Sequence, residues 1–260
     1  MAVWAVIAGV YGLVLAVAAG LQPIRRRLLA GSAAFGYSLL AFGAGTLPPR
    51  LWTELVLPGA LLLAGYWLSG FYFRDPQPRL ERWLLELDRR AFRCLSLDRL
   101  LERSPRWVLE LLELSYAAVY VVVTAGAILA AANGLAALTH YWSVVIGSEL
   151  ACYVMLPWLR SRPPRVLAAP GVMARRAPVL RRLNGAILDG ASVQANTLPS
   201  GHVAGSLAAA LAVWPFAPAV GGALAAAAVL IAIAAAAGRY HYVVDCVAGV
   251  SVALVVSAIV

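Results

Sequence analysis

Long apolar runs alternate along the chain with short polar breaks. Apolar runs of about 17–25 residues are long enough to cross a bilayer as helices. They recur at 2–23, 28–47, 51–73, 107–131, 138–159, 200–219, 221–238 and 242–260, which predicts eight spans. Residues 1–20 lack a basic leading segment and a clear cleavage site, so the first run is predicted to be an uncleaved span. Two stretches depart from this pattern. In 74–106 the helix-breaking run Asp75-Pro76-Gln77-Pro78 is followed by Leu80, Trp83, Leu84, Leu87, Phe92 and Leu95 at helical spacing. Arginines and acids fill the rest, which predicts an amphipathic helix lying in the membrane interface with its charges on the opposite face; a cytosolic connector is the alternative. The second stretch, 159–199, carries arginines at 160, 162, 165, 175, 176, 181 and 182 against one acid, Asp189. A structureless loop of that length is usually functional or disordered.

Composition agrees with the pattern and excludes a soluble globular class. Hydrophobic residues make up 62% of the 260 and charged residues 13%, and the mean hydropathy is +0.82. The formal net charge is +9, and all 21 basic residues are arginine. That usage fits a GC-rich coding sequence and a bacterial-type cell membrane. Arginine is also a good phosphate ligand, because its planar fork meets oxygens in pairs. No basic groove with interleaved aromatics lies outside the membrane-proximal loops, so no nucleic-acid partner is expected. Cys94, Cys152 and Cys246 are scattered without metal spacing and read as packing residues. Small residues dominate the last three spans, as in Ala225-Ala226-Ala227-Ala228, which predicts a tight bundle.

Two short motifs carry the chemistry. Thr197-Leu198-Pro199-Ser200-Gly201-His202 and Arg239-Tyr240-His241-Tyr242-Val243-Val244-Asp245 hold two of the three histidines. Pro199 suits the first turn of a helix. Ser200, Gly201 and His202 are then expected in that turn, with backbone N–H groups free to bind an anion. His202 is placed to give a proton to a departing oxygen. His241 and Asp245 are four apart and are expected on one helix face, where the carboxylate fixes the imidazole tautomer and leaves the other nitrogen free to attack. A proton relay or a structural His–Asp bond is the competing reading of that pair. Two crossings separate the motifs, so both fall on one membrane face, together with the end of the 138–159 run and its arginines.

At this point the sequence resembles the type-2 phosphatidic acid phosphatase/vanadium haloperoxidase superfamily, in particular its membrane branch of inositol-phosphorylceramide synthase-like proteins. The resemblance covers roughly 51–260. Pro199-Ser200-Gly201-His202 is similar to the second family motif, Arg239 to Asp245 to a branch form of the third, and Arg162-Pro163-Pro164-Arg165 to a Pro-Pro-Arg version of the first. The resemblance implies His241 as nucleophile, Asp245 as its orienting group and His202 as acid and base. It implies Arg165, Arg162, Arg239, Ser200 and Gly201 as phosphate-binding residues, with no metal and no cofactor. The commonest family form has an arginine six before the nucleophile, where this chain has Ala235, and a basic residue seven before the Arg-Pro, where it has Met155. Arg160 therefore joins Arg162, Arg165 and Arg239 as a candidate for the clamp.

The expected fold is an all-α polytopic membrane helix bundle: a six-helix phosphatase-type core, an N-terminal pair of spans (1–50) and the interfacial segment 74–106 within a catalytic domain 51–260. The expected activity is metal-independent hydrolysis of a lipid phosphate or pyrophosphate in the bilayer. Transfer of a phospho-headgroup from one lipid to another alcohol and proton-coupled transport are the alternatives. Glu149, inside a span, is expected to pair with a loop arginine or to be protonated. Glu110 and Glu113 are read as favouring a helix N-terminus, His140 as a boundary residue, and Asn196 and Thr197 as shaping a turn. The spans place 20 of 21 arginines on the motif face, all but Arg50. The positive-inside rule makes that face cytoplasmic, whereas the resemblance implies the opposite side. The lipid and the oligomeric state stay open at this stage.

Overall fold

The computed structural model describes residues 1–176 and 179–260. Among these residues it is built from helices, with a single isolated bridge, Ser161 to Asn196. The N-terminal pair is α1 (Val3–Ala18) and α2 (Ile24–Thr46), followed by α3 (Leu51–Gly70). All three are long and apolar enough to cross a membrane. Buried tyrosine hydroxyls tie the pair to α3: Tyr11 donates to the Gly65 carbonyl at 2.7 Å and Tyr37 to that of Leu61 at 3.0 Å. Beyond α3, Tyr72 donates to the Leu15 carbonyl at 2.7 Å. These bonds satisfy polar atoms where water is absent.

Among the described residues four helices, or five with one bent pair, are long and apolar enough to cross a membrane, rather than the expected eight. The remaining bundle helices wrap one central helix. They are α6 (Arg106–Ala117), α7 (Val119–Ala132), α8 (Leu135–Tyr153), α12 (Gly201–Val213), α13 (Pro218–Ala237) and α14 (Val243–Ile259). α12 packs against α7, α8, α13 and α14. Its Gly, Ala and Ser side chains allow that close approach. Pro218 opens α13 at a position where a missing N–H costs nothing.

Several expectations change in detail. The run 107–131 is not one straight span, because α6 and α7 meet at a 52° bend. Ser115 Oγ bonds back to the Leu111 carbonyl at 2.8 Å beside the bend, a contact that tends to bend helices. The run 138–159 is helical only to Tyr153, and the run 200–219 only to Val213. The 13 residues of α12 rise about 20 Å, less than a full hydrocarbon core, so this central helix is sheathed by its neighbours.

The segment 74–106 forms two helices, α4 (Pro78–Cys94) and α5 (Leu97–Arg103), broken where Ser96 adopts φ 50°. The expected orientation of α4 is wrong in one respect. Its buried face carries Glu81, Leu84, Asp88 and Phe92, while Trp83 and Leu95 are exposed. Two acids thus point into the protein, where arginines from other elements meet them. The described residues of 159–199 also form helices, α9 (Pro164–Leu167), α10 (Val172–Arg176) and α11 (Val179–Ala191). α11 docks on α6.

Candidate active site

The two motifs meet at one end of the bundle. α12 and α14 start side by side, joined by the Ser200 N–H donating to the Asp245 carbonyl at 3.0 Å. Gly249 makes this approach possible, since a Cβ there would lie 2.7 Å from the Ser200 carbonyl oxygen. The Arg165 N–H donates to the Arg239 carbonyl at 2.9 Å, which brings the 159–167 segment to the same place. The imidazoles of His202 and His241 end with ring centroids 5.7 Å apart.

His202 sits in the first turn of α12, as expected. Tyr116 of α6 stacks flat on its ring at 5.0 Å, and Tyr240 stacks on the other face of Tyr116 at 3.9 Å. This column fixes the plane of the imidazole. Ser200 is the residue before the helix rather than part of it, and its N–H is consumed by Asp245. The expectation that Ser200, Gly201 and His202 all present free N–H groups is corrected to two. Gly201 and His202 are the first helical residues, whose N–H groups have no intrahelical acceptor.

His241 is not on a helix. It lies in the 238–242 turn, two residues before α14. Its Nδ1 still faces Asp245 Oδ2, at 3.6 Å, too long for a hydrogen bond. Asp245 Oδ2 instead accepts the Tyr242 N–H at 3.0 Å, and among the described residues Nδ1 of His241 and Oδ1 of Asp245 are buried without a hydrogen bond. Catalytic contacts are often loose without substrate and tighten on binding. Burial lowers the His241 pKa to about 3, with the Arg165 charge acting in the same direction, so the ring is neutral and its electron pair available at neutral pH.

The candidate clamp arginines separate into two groups. Arg162 is paired with Glu81: its Nε and Nη2 each reach the carboxylate at 2.9 Å. That pair holds the Glu81 carboxyl below its usual range. Arg239 is bonded to Asp88, with its guanidinium 3.6 Å over the Phe92 ring. Arg165 is different. Its half-buried side chain makes no hydrogen bond or ion pair among the described residues, and it lies 5.9 Å over the Tyr240 ring. Arg160 carries a buried Nε without a partner.

A chain that places two histidines, a carboxylate and an unpaired arginine at the mouth of a membrane bundle can be set against known families. The model of one family, described as the PAP2 superfamily, matches residues 82–259. The chain belongs to the PAP2 superfamily. No curated protein and no solved structure matches it. The match begins inside α4 and includes both histidines, Asp245, the four candidate arginines and Asp88, but not Glu81. Membership, with apolar helices long enough to span a bilayer, makes the protein a membrane-embedded member of a phosphatase and phosphotransferase family.

Residues that the sequence pattern undervalued support the site. Glu113 is not simply a helix-end charge. It is buried and accepts from Arg181 at 2.8 Å, from Asn184 at 2.7 Å and from the Tyr240 hydroxyl. Glu110 accepts the Val179 and Leu180 N–H groups at 2.7 and 3.0 Å, which caps α11. Glu149 meets no loop arginine. It accepts the Tyr153 hydroxyl at 2.6 Å, beside Gly205. Asn196 joins Ser161 across the bridge, its Nδ2 3.2 Å from Ser161 Oγ. Among the described residues no cluster of three or more His, Cys, Asp or Glu is arranged to hold a metal ion.

Proposed function

We propose that the protein is a lipid phosphatase of the membrane that works through a phospho-histidine on His241. The observation that carries this reading is the juxtaposition of two imidazoles 5.7 Å apart with the unpaired Arg165 and the free N–H groups of Gly201 and His202. A tetrahedral phosphate fits between two such groups, held by charge and by donors fixed in advance.

In the first step Nε2 of His241 attacks phosphorus and the P–O bond to the lipid breaks. His202, which takes up a proton when the phosphate dianion binds beside it, gives that proton to the departing oxygen. Asp245, behind Nδ1 of His241, stabilises the positive charge that grows on that ring. In the second step water attacks the phospho-histidine, its proton passes to His202, and the P–N bond breaks to release inorganic phosphate. Arg165 and the two N–H groups neutralise the oxygens in both steps, so the chemistry asks nothing of a metal.

Transfer to an alcohol instead of water is the second reading, and one feature favours it. A cavity of about 290 Å3 borders the site through Arg239, walled by Asp88, Arg89, Asp98, Gly171 and Arg175. A space of that size and polarity suits the polar part of an acceptor or leaving group. A proton-coupled transporter, the third possibility, forms no covalent phosphate.

The deciding experiment uses purified protein in lipid nanodiscs and a radiolabelled lipid phosphate. The expected result is release of inorganic phosphate without added metal, inhibition by vanadate, and an acid-labile phosphoenzyme that His241→Ala abolishes. Activity retained in His241→Ala sinks the nucleophile assignment. Label recovered in a second lipid when an alcohol is supplied identifies transfer.

A further inference from the structure

We infer that Asp88 of α4 is a positioning residue that holds the His241 loop from both sides; this rests on His241 being the nucleophile. Asp88 Oδ2 bonds Arg239 and Oδ1 accepts the Val243 N–H at 3.1 Å. Those partners stand two residues before and two after His241. The carboxylate is 1% exposed and both oxygens are occupied, so it acts through the loop rather than on the phosphate.

The loop needs such a grip. Arg239 adopts φ 61°, a left-handed conformation that disfavours residues with a side chain and persists only where surroundings enforce it. The enforcement comes from α4, through Asp88 on the guanidinium edge and Phe92 on its face at 3.6 Å. At the other end, Asp88 takes the first N–H of α14, while Asp245 takes the Tyr242 N–H at 3.0 Å. Two carboxylates thus divide the exposed donors of the α14 start.

Arg239 is therefore a scaffold for the nucleophile rather than a phosphate ligand. The consequence is a kinetic signature. Loss of the Asp88–Arg239 contact lowers the rate of the chemical step and leaves substrate affinity unchanged, because the unpaired Arg165 still binds phosphate.

The test compares Asp88→Asn, Arg239→Gln, Arg239→Lys and the double variant Asp88→Asn/Arg239→Gln in nanodiscs. Single-turnover phosphorylation is expected to slow about 10- to 100-fold in Asp88→Asn and Arg239→Gln, the scale of a displacement approaching 1 Å, with KM within about twofold of wild type. The double variant is expected to be no slower than the slower single, and Arg239→Lys, which retains the ion pair, to recover most of the rate. A readout independent of turnover is acylation of His241 by diethyl pyrocarbonate, followed by mass spectrometry. It is expected to accelerate at least fivefold in Asp88→Asn as the loop opens. Where Asp88→Asn does not fold, Arg239→Gln breaks the same contact from the other side. Wild-type phosphorylation and acylation rates in a folded variant overturn the proposal, as does a raised KM at unchanged kcat. Faster acylation in a protein whose wild type forms no phosphoenzyme upholds the grip on the loop and sinks the phosphatase reading alone.

Discussion

Gly249→Ala tests whether the approach of two helix starts sets the distance between the histidines. The added Cβ would meet the Ser200 carbonyl oxygen at 2.7 Å, Val203 Cβ at 3.3 Å and the Ala204 nitrogen at 3.4 Å. Carbon–oxygen contacts in helix packing settle at about 3.3 Å or more, so α12 and α14 must part by roughly 0.6 Å. The obstacle is backbone, which has no rotamer to escape into. Overpacking of this kind costs about 1–3 kcal/mol, offset by up to about 1 kcal/mol from the better helix propensity of alanine. Stability therefore changes modestly. Catalysis changes more, because Ser200 adjoins His202's helix and also bonds Asp245. If a 1 Å misplacement costs about 100-fold, a shift of roughly 0.6 Å costs about 15-fold in kcat. The assay is phosphate release in nanodiscs alongside a thermal unfolding scan. Gly43→Ala, where a Cβ meets nothing within 4 Å, serves as control and is expected to match wild type. A folded Gly249→Ala enzyme with kcat within twofold of wild type would refute the reasoning.

Three further outcomes follow from the same geometry. Arg165→Ala is expected to lower kcat/KM by about 10- to 100-fold, from loss of a charged hydrogen bond of about 1.5–3 kcal/mol. Arg162→Ala, whose guanidinium is spent on Glu81, is expected to lose less; the reverse ranking in steady-state kinetics refutes the assignment. Glu54 accepts from Trp4 Nε1 at 2.7 Å and Thr139 Oγ1 at 3.0 Å. Glu54→Leu orphans both buried donors, and the midpoint of thermal unfolding is expected to fall by several degrees with kcat unchanged. Finally, His241 is held to about pKa 3 by burial and by Arg165, against about 6.5 unfolded. The unfolded chain then binds more protons between those values, so this contribution to stability is full above about pH 6.5 and is lost as pH falls toward 3. The His241 ring resonance is expected not to titrate between pH 8 and pH 5, and a midpoint near 6.5 refutes the burial argument.

Apolar length made the helices legible, and each motif's position at a predicted span start brought the motifs to one face. Local interruptions were not legible. Nothing in the apolar pattern of 107–131 marks the bend at Ala118, beside which Ser115 bonds back to the Leu111 carbonyl. The partners of the arginines were hidden for a different reason. Amphipathic reasoning sends polar residues of a helix outward, yet α4 turns Glu81 and Asp88 inward. The only local signal was their spacing, seven apart and in register with Leu84. Its meaning lies in Arg162 and Arg239, which are 81 and 151 residues distant in sequence. The same holds for Glu113, whose partners come from α11 and from the turn before α14.

Those pairings change what the arginine-rich face means. Arg162, Arg175, Arg181 and Arg239 each meet a carboxylate, from Glu81, Glu102, Glu113 and Asp88, and Arg176 donates to three backbone carbonyls. Their charge is largely balanced within the protein, so they fasten α4, α5 and α11 over the end of the bundle. The buried pairs among them, Arg181–Glu113 and Arg239–Asp88, are costly to break, since removing one partner strands the other charge. A phosphate arriving at the histidines thus gains little by recruiting Arg162 or Arg239, because each would leave a carboxylate behind. On the proposed mechanism it gains most from Arg165, which has no carboxylate partner among the described residues, and from the Gly201 and His202 N–H groups, which no helical carbonyl can satisfy. The arginines paired on this face thus build the frame, and Arg165, beside the histidines and without a carboxylate partner among the described residues, is the phosphate ligand of the proposed mechanism.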